Sequence, residues 1–198
     1  MSGKDDQTLR FYEREAATYA GRERFPLSGR LDAFLAGLPA GARILELGCG
    51  GGQDAFYMLA CGLDVTPTDG SAQMAAEAER LLQRPVRVMR FAELDDIETF
   101  DGVWASASLL HVPRDDLNGI LALVHQALRP GGRFWASFKA GKEAGRDALG
   151  RFYNYLDEAG LRRHYEAAGS WSRLAIGRVP GGGYDGQPTE WLWVEAEK

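Results

Sequence analysis

Four groups of residues in this chain have the types and spacing to do chemistry. The first is the run Arg43-Ile44-Leu45-Glu46-Leu47-Gly48-Cys49-Gly50-Gly51-Gly52-Gln53-Asp54. A short apolar stretch carrying an acid meets a glycine-rich turn, and a helical pattern follows. Glycine lacks a Cβ and accepts positive φ, so such a turn can bend sharply and lay backbone against a ligand. The open N–H groups of the next helix face the same spot. The second group is Asp69-Gly70-Ser71, which ends a second apolar segment. An acid about 20 residues past a glycine turn can accept both hydroxyls of a ribose. The third is Ala92-Glu93-Leu94, an acid between two apolar residues after an alternating segment. The fourth is His111, just beyond the apolar run that starts at Phe100. It is either a general base or a hydrogen-bonded structural histidine.

Two ligand classes use a glycine turn of this kind. Dinucleotides prefer G-x-G-x-x-G, but Gln53 stands where the third glycine belongs. The order Glu46-x-Gly48-x-Gly50-x-Gly52 instead resembles motif I of the class I S-adenosylmethionine-dependent methyltransferases. That cofactor has no pyrophosphate, so the turn would hold its methionine part and ribose. The resemblance extends over 42–198, because motif I, Asp69, the turn after Phe91, a fourth strand and Leu128-Arg129-Pro130-Gly131-Gly132 occur in family order. Within the family the chain is similar to small-molecule enzymes of type 11/12, the tellurite-resistance group among them.

The resemblance implies S-adenosyl-L-methionine as cofactor and S-adenosyl-L-homocysteine as product. It places Glu46, Gly48, Gly50, Asp69, Gly70, Ser71 and Met74 at the cofactor, with Met74 either covering the adenine or packing the core. Glu93 would take the adenine amino group between Ala92 and Leu94, with Asp95-Asp96 as a looser alternative. Ala107 would line the site from the end of the fourth strand, and Tyr12, Tyr19 and Arg24 from an N-terminal leader, unless the two tyrosines are helix-packing residues. His111, Arg151, Tyr153 and Tyr155 would face the acceptor, the last three unless they are a salt-bridged arginine and packed tyrosines. Methyl transfer from an activated sulfonium depends mainly on in-line positioning. Two readings compete: a nicotinamide-dependent oxidoreductase, which Gln53 and the lack of a second domain disfavour, and a non-catalytic cofactor-binding module.

Composition sets the bounds. The chain has 198 residues, 45% hydrophobic and 26% charged, which suits one globular domain with a sizeable core. A net charge of −5 disfavours a partner held by nucleic-acid phosphates. Two cysteines make no disulfide framework, and no metal-ligand spacing appears. No run is apolar enough to span a bilayer and no signal peptide is seen, so the cytoplasm is the expected location. A monomer or homodimer acting on a small molecule is expected.

The elements that must position these residues follow from periodicity. Helices are expected over 7–21 and 28–38, together the leader 7–38 that would cover the cofactor cleft. Strands at 42–47, 63–68, 86–91, 100–107 and 133–138 alternate with helices at 53–61, 72–83 and 115–128. A loop over 139–150, a helix near 156–168 and a strand hairpin at 171–177 and 190–196 complete the chain. The alternation predicts an α/β, Rossmann-like sheet, mostly parallel, with helices on both faces. The family resemblance adds seven strands in the order 3-2-1-4-5-7-6, the last antiparallel.

Overall fold

The computed structural model describes residues 5–22, 28–184 and 186–198. Its elements are α1 (Asp6–Ala20), α2 (Ser28–Ala36), β1 (Arg43–Leu47), α3 (Gln53–Ala60), β2 (Asp64–Asp69), α4 (Ala72–Leu82), β3 (Arg87–Val88), β4 (Phe100–Ala105), α5 (Arg114–Ala127), β5 (Leu128–Lys139), β6 (Gly145–Arg146), β7 (Phe152–Tyr153), α6 (Glu158–Ala168), β8 (Arg173–Gly182) and β9 (Pro188–Glu197). Seven strands form one sheet in the order β3-β2-β1-β4-β5-β9-β8. Pairing is parallel from β3 to β5, and β9 runs antiparallel between β5 and β8. This is the expected fold, with β8 and β9 in the places of the sixth and seventh strands.

The central strands are buried on both faces, which is why they read as continuous apolar runs. Their period of two sends Ile44, Trp104 and Trp135 to one layer with Phe34 of α2 and Met58 of α3. Leu45, Leu47, Val103 and Phe134 go to the other, with Leu117 and Val124 of α5 and Leu161 of α6. Trp104 and Trp135 stack with centroids 4.0 Å apart. The Trp104 indole N–H donates to Asp54 at 3.0 Å. Asp54 lies in the first turn of α3, where the helix dipole favours an acid.

Three segments differ from expectation. The strand expected over 86–91 shrinks to Arg87–Val88. The loop expected over 139–150 contributes to a second sheet, the hairpin β6–β7. The Pro130-Gly131-Gly132 turn sits inside β5 as an irregularity, where the β4 partner jumps from Leu128 to Arg133.

The two leader helices have different jobs. α2 buries Leu31 and Phe34 in the layer with Trp104 and does not line the cleft described below. α1 lies over the sheet's C-terminal end and is tied down at its start. The Asp5 side chain caps it by accepting the Thr8 N–H. Asp5 and Asp6 form ion pairs with Arg146 at 2.5 Å and Arg90 at 3.2 Å. Buried Thr8 accepts the Phe152 N–H at 2.7 Å, joining α1 to β7. Thr8→Val keeps the shape and removes that acceptor, which should cost about 1–2 kcal/mol. Urea unfolding and amide exchange at Phe152 check this; unchanged stability and exchange would contradict the anchor.

Candidate active site

A cleft lies across the C-terminal ends of β1, β2 and β4. α1 roofs it with Thr8, Leu9, Tyr12 and Tyr19. A cleft beyond the carboxyl ends of β1 and β4 is where an open α/β sheet takes ligands, because the connections diverge there.

The glycine turn forms its floor. Gly48 and Cys49 both donate backbone N–H bonds to the Thr68 carbonyl, at 2.9 and 2.8 Å, and fasten the turn to β2. Gly48 and Gly50 have φ of 74° and 57°. Their roles differ. A Cβ at Gly48 would stand 2.5 Å from the Cβ of Ser108, so this glycine lets the turn meet the segment after β4. A Cβ at Gly50 would point at Tyr19 and Met74, 3.7 and 3.8 Å away, both cleft residues. Gly50 therefore keeps the cleft side of the turn clear.

Asp69 faces this turn. One carboxylate oxygen accepts the Gly50 N–H at 3.0 Å and the other the Ser71 N–H at 2.9 Å. Burial pushes the carboxyl up from 3.8 to about 6, against the pull of the Ser71, Gly50 and Gly70 amides. Gly70 and Met74 also line the cleft, and Met74 is otherwise buried in the core. Ser71 is fully buried and caps α4 by accepting the Met74 N–H at 3.2 Å. Glu46 is 2% exposed and lies below the wall.

After β3 the wall is made by Met89, Arg90 and Phe91 rather than by Ala92, Glu93 and Leu94. Phe91–Glu93 is a single 3-10 turn. The Glu93 carboxylate accepts the Arg90 N–H at 2.8 Å and closes that turn, while Leu94 belongs to the core. Sequence alternation could not reveal this, because it does not show that the strand stops at Val88.

On the β4 side, Ser106, Ala107, Ser108 and His111 line the cleft. The His111 Nδ1 lies 2.5 Å from the Phe152 carbonyl, which only accepts, so Nδ1 carries the proton. Nε2 then accepts the Tyr12 hydroxyl at 2.9 Å. Burial pushes the imidazole down to about 4, so it is neutral at neutral pH. His111 is thus fully hydrogen-bonded and on the cleft wall at once.

Arg151, Tyr153 and Tyr155 do not line the cleft. Arg151 is 1% exposed, and its Nε and Nη2 donate to one Asp147 oxygen at 2.9 and 2.7 Å. Tyr153 lies between His111 and Tyr155, with ring centroids 4.7 and 5.6 Å away. The β6–β7 hairpin folds this segment inward, so the three residues form a layer behind His111. Tyr19 packs edge-on against Tyr12, and the Arg22 guanidinium lies over its ring. Arg24 lies outside the described residues. Arg22, Arg90, Phe91, Ser106 and Ser108 are cleft residues that periodicity alone did not single out. Among the described residues no cluster of three or more His, Cys, Asp or Glu is placed to hold a metal, and no helix is long and apolar enough to cross a membrane.

Residues 45–134 match a family model described as a methyltransferase domain. The chain is 36% identical over 109 residues to the malonyl-[acyl-carrier protein] O-methyltransferase of Enterobacter lignolyticus, across 51% of this chain and 41% of that protein. It is also 36% identical over 107 residues to an S-adenosyl-L-methionine-dependent Diels-Alderase of Talaromyces variabilis, across 49% of this chain and 36% of the relative. The chain thus spans less than half the length of these curated relatives. Among solved structures, the Burkholderia thailandensis 1,6-didemethyltoxoflavin-N1-methyltransferase, with 1,6-didemethyltoxoflavin and S-adenosylhomocysteine bound, superimposes with a TM-score of 0.74 at 26% identity. That match covers 98% of this chain and 88% of the other.

Proposed function

We propose that this chain, whose residues 45–134 match a methyltransferase-domain model, is a class I S-adenosylmethionine-dependent methyltransferase that moves a methyl group to a small-molecule acceptor. The observation that carries this is the pairing of Asp69 with the glycine turn. A carboxylate held by backbone amides stands beside a glycine whose missing Cβ keeps the cleft open. This arrangement fits an adenosyl compound with ribose hydroxyls to donate and no pyrophosphate to bind.

In this reading Asp69 accepts the ribose hydroxyls, while Met74, Met89 and Phe91 supply apolar contact for the adenine. The Gly48–Gly50 turn and Tyr19 hold the methionine end. When bound, S-adenosylmethionine supplies an activated methyl on a sulfonium. The chain's own part is to orient two reactants, which can remove several kcal/mol from a bimolecular barrier. The roof formed by α1 keeps water from that space. The rings of Tyr12 and Tyr19 face a cationic centre favourably, by about 0.5–1 kcal/mol each.

His111 and Tyr12 mark the acceptor side. The neutral imidazole holds its Nδ1 proton on Phe152 and takes the Tyr12 hydroxyl at Nε2, so a proton leaving an acceptor O–H or N–H can pass to the Tyr12 oxygen as the Tyr12 proton moves to Nε2. Methyl transfer removes the sulfonium's positive charge, which lowers the cost of charging a buried imidazole at that moment. A ring-bearing acceptor suits a space walled by Tyr12, Tyr19 and His111; the Burkholderia enzyme binds 1,6-didemethyltoxoflavin.

The test is to incubate the protein with S-adenosylmethionine and an acceptor panel headed by 1,6-didemethyltoxoflavin. Equal amounts of S-adenosylhomocysteine and methylated acceptor are expected. Bound cofactor that keeps its methyl with every acceptor would point instead to a non-transferring use, as the name of the Diels-Alderase relative suggests.

A further inference from the structure

β4 ends in a kink that a serine on the neighbouring strand holds in place. Ala107 has φ of +53°, a left-handed conformation that L-residues other than asparagine and aspartate rarely adopt. It stays there because its N–H donates to the Ser137 hydroxyl at 2.8 Å. Ser137 is 8% exposed on β5, one residue past the last β4–β5 pair, Ala105 with Ala136. It also pairs with Trp193 of β9, so it sits inside the sheet on a rigid strand.

What the kink positions is the cleft wall. Ser106, Ala107 and Ser108 all line the cleft. Ser108 turns the chain into the 3-10 segment Leu109–His111, which delivers His111 to Tyr12. Ser108 also lies where a Cβ on Gly48 would collide, so the kink and the glycine turn are in direct register. Without that acceptor the left-handed strain at Ala107 loses the hydrogen bond made by its own N–H, and the kink is expected to relax toward negative φ. The wall would then move against the turn.

We propose that Ser137 is a positioning residue: through the Ala107 amide it holds the strained kink that gives the cofactor cleft its β4-side wall. This rests on the methyltransferase reading, since the cleft's ligand is taken to be the adenosyl cofactor. The role is pre-organisation, because Ser137 itself does not line the cleft.

The test is calorimetric titration of the full chain with S-adenosylhomocysteine. Ser137→Ala should weaken binding about tenfold, the worth of one buried hydrogen bond. Adding Ala107→Gly to Ser137→Ala should bring affinity back to within about threefold, because glycine adopts positive φ without strain. Ser137→Cys, which keeps the side chain's shape but offers a poorer acceptor, should weaken binding in the same direction by a smaller factor, and it carries the test if Ser137→Ala does not fold. The proposal is overturned if Ser137→Ala binds like the wild type, or if Ala107→Gly fails to restore affinity, since a merely structural loss would not respond to that glycine. If the wild type itself does not bind S-adenosylhomocysteine, the methyltransferase reading fails and this role falls with it.

Discussion

Asp69→Ala is expected to weaken S-adenosylhomocysteine binding by about 1–3 kcal/mol, the cost of leaving ribose hydroxyls without a charged acceptor. The carboxylate is held by amides of the glycine turn and of Ser71, so it is already aimed before a ligand arrives. The same residue gives a pH signature. Burial raises its carboxyl from 3.8 to about 6, and the ribose needs the ionised form as acceptor. Affinity should therefore be flat above pH 6 and fall roughly tenfold per unit below it. Asp69→Asn should abolish that slope. The linkage to stability has the opposite sign: because the folded value is raised, the protonated group favours the folded over the unfolded chain below pH 3.8, and that contribution is lost as pH rises through about 6. Equal binding by wild type and Asp69→Ala, or an affinity unaffected by pH between 5 and 7, would show that this acid is not at the ribose.

Gly50→Val should have a larger effect on binding than on folding. The side chain would enter the cleft beside Tyr19 and Met74, where a Cβ meets only ordinary contacts. Filling a fitted space typically costs 1–3 kcal/mol, so a loss on the order of a hundredfold in affinity is expected. Backbone strain at φ of 57° adds about 1–2 kcal/mol of lost stability, visible as a lower melting temperature. Gly48→Val, which motif I alone would suggest, is the less informative variant. Its Cβ would strike Ser108 at 2.5 Å, so lost binding could not be separated from a displaced wall. Full affinity in folded Gly50→Val would mean that the ligand does not pass this turn.

How far the sequence reaches depends on what kind of signal each residue carries. The parallel sheet was legible because its central strands are buried on both faces and alternate with amphipathic helices. The glycine turn and Asp69 were legible because their spacing is set by one strand–helix–strand unit of nearly fixed length. The cleft residues after β3 were not, because a two-residue strand and a 3-10 turn leave no period to count. Arg151 and Tyr153 read as pocket residues because they follow a loop rich in glycine and charge. The structure turns that loop into a hairpin, and an Asp147 partner four residues away satisfies the arginine. Tyr12 stood out only as a candidate contact, since its partner His111 is 99 residues away. The Ala107 kink left no trace at all, because alanine carries no left-handed signature.

The most direct test of the account is a calorimetric titration at pH 7.5 of the wild type and Asp69→Ala with S-adenosylhomocysteine, run beside NADH. One binding site for S-adenosylhomocysteine, weakened in Asp69→Ala, with no heat from NADH, is the predicted result. Saturable NADH binding together with none for S-adenosylhomocysteine would contradict it.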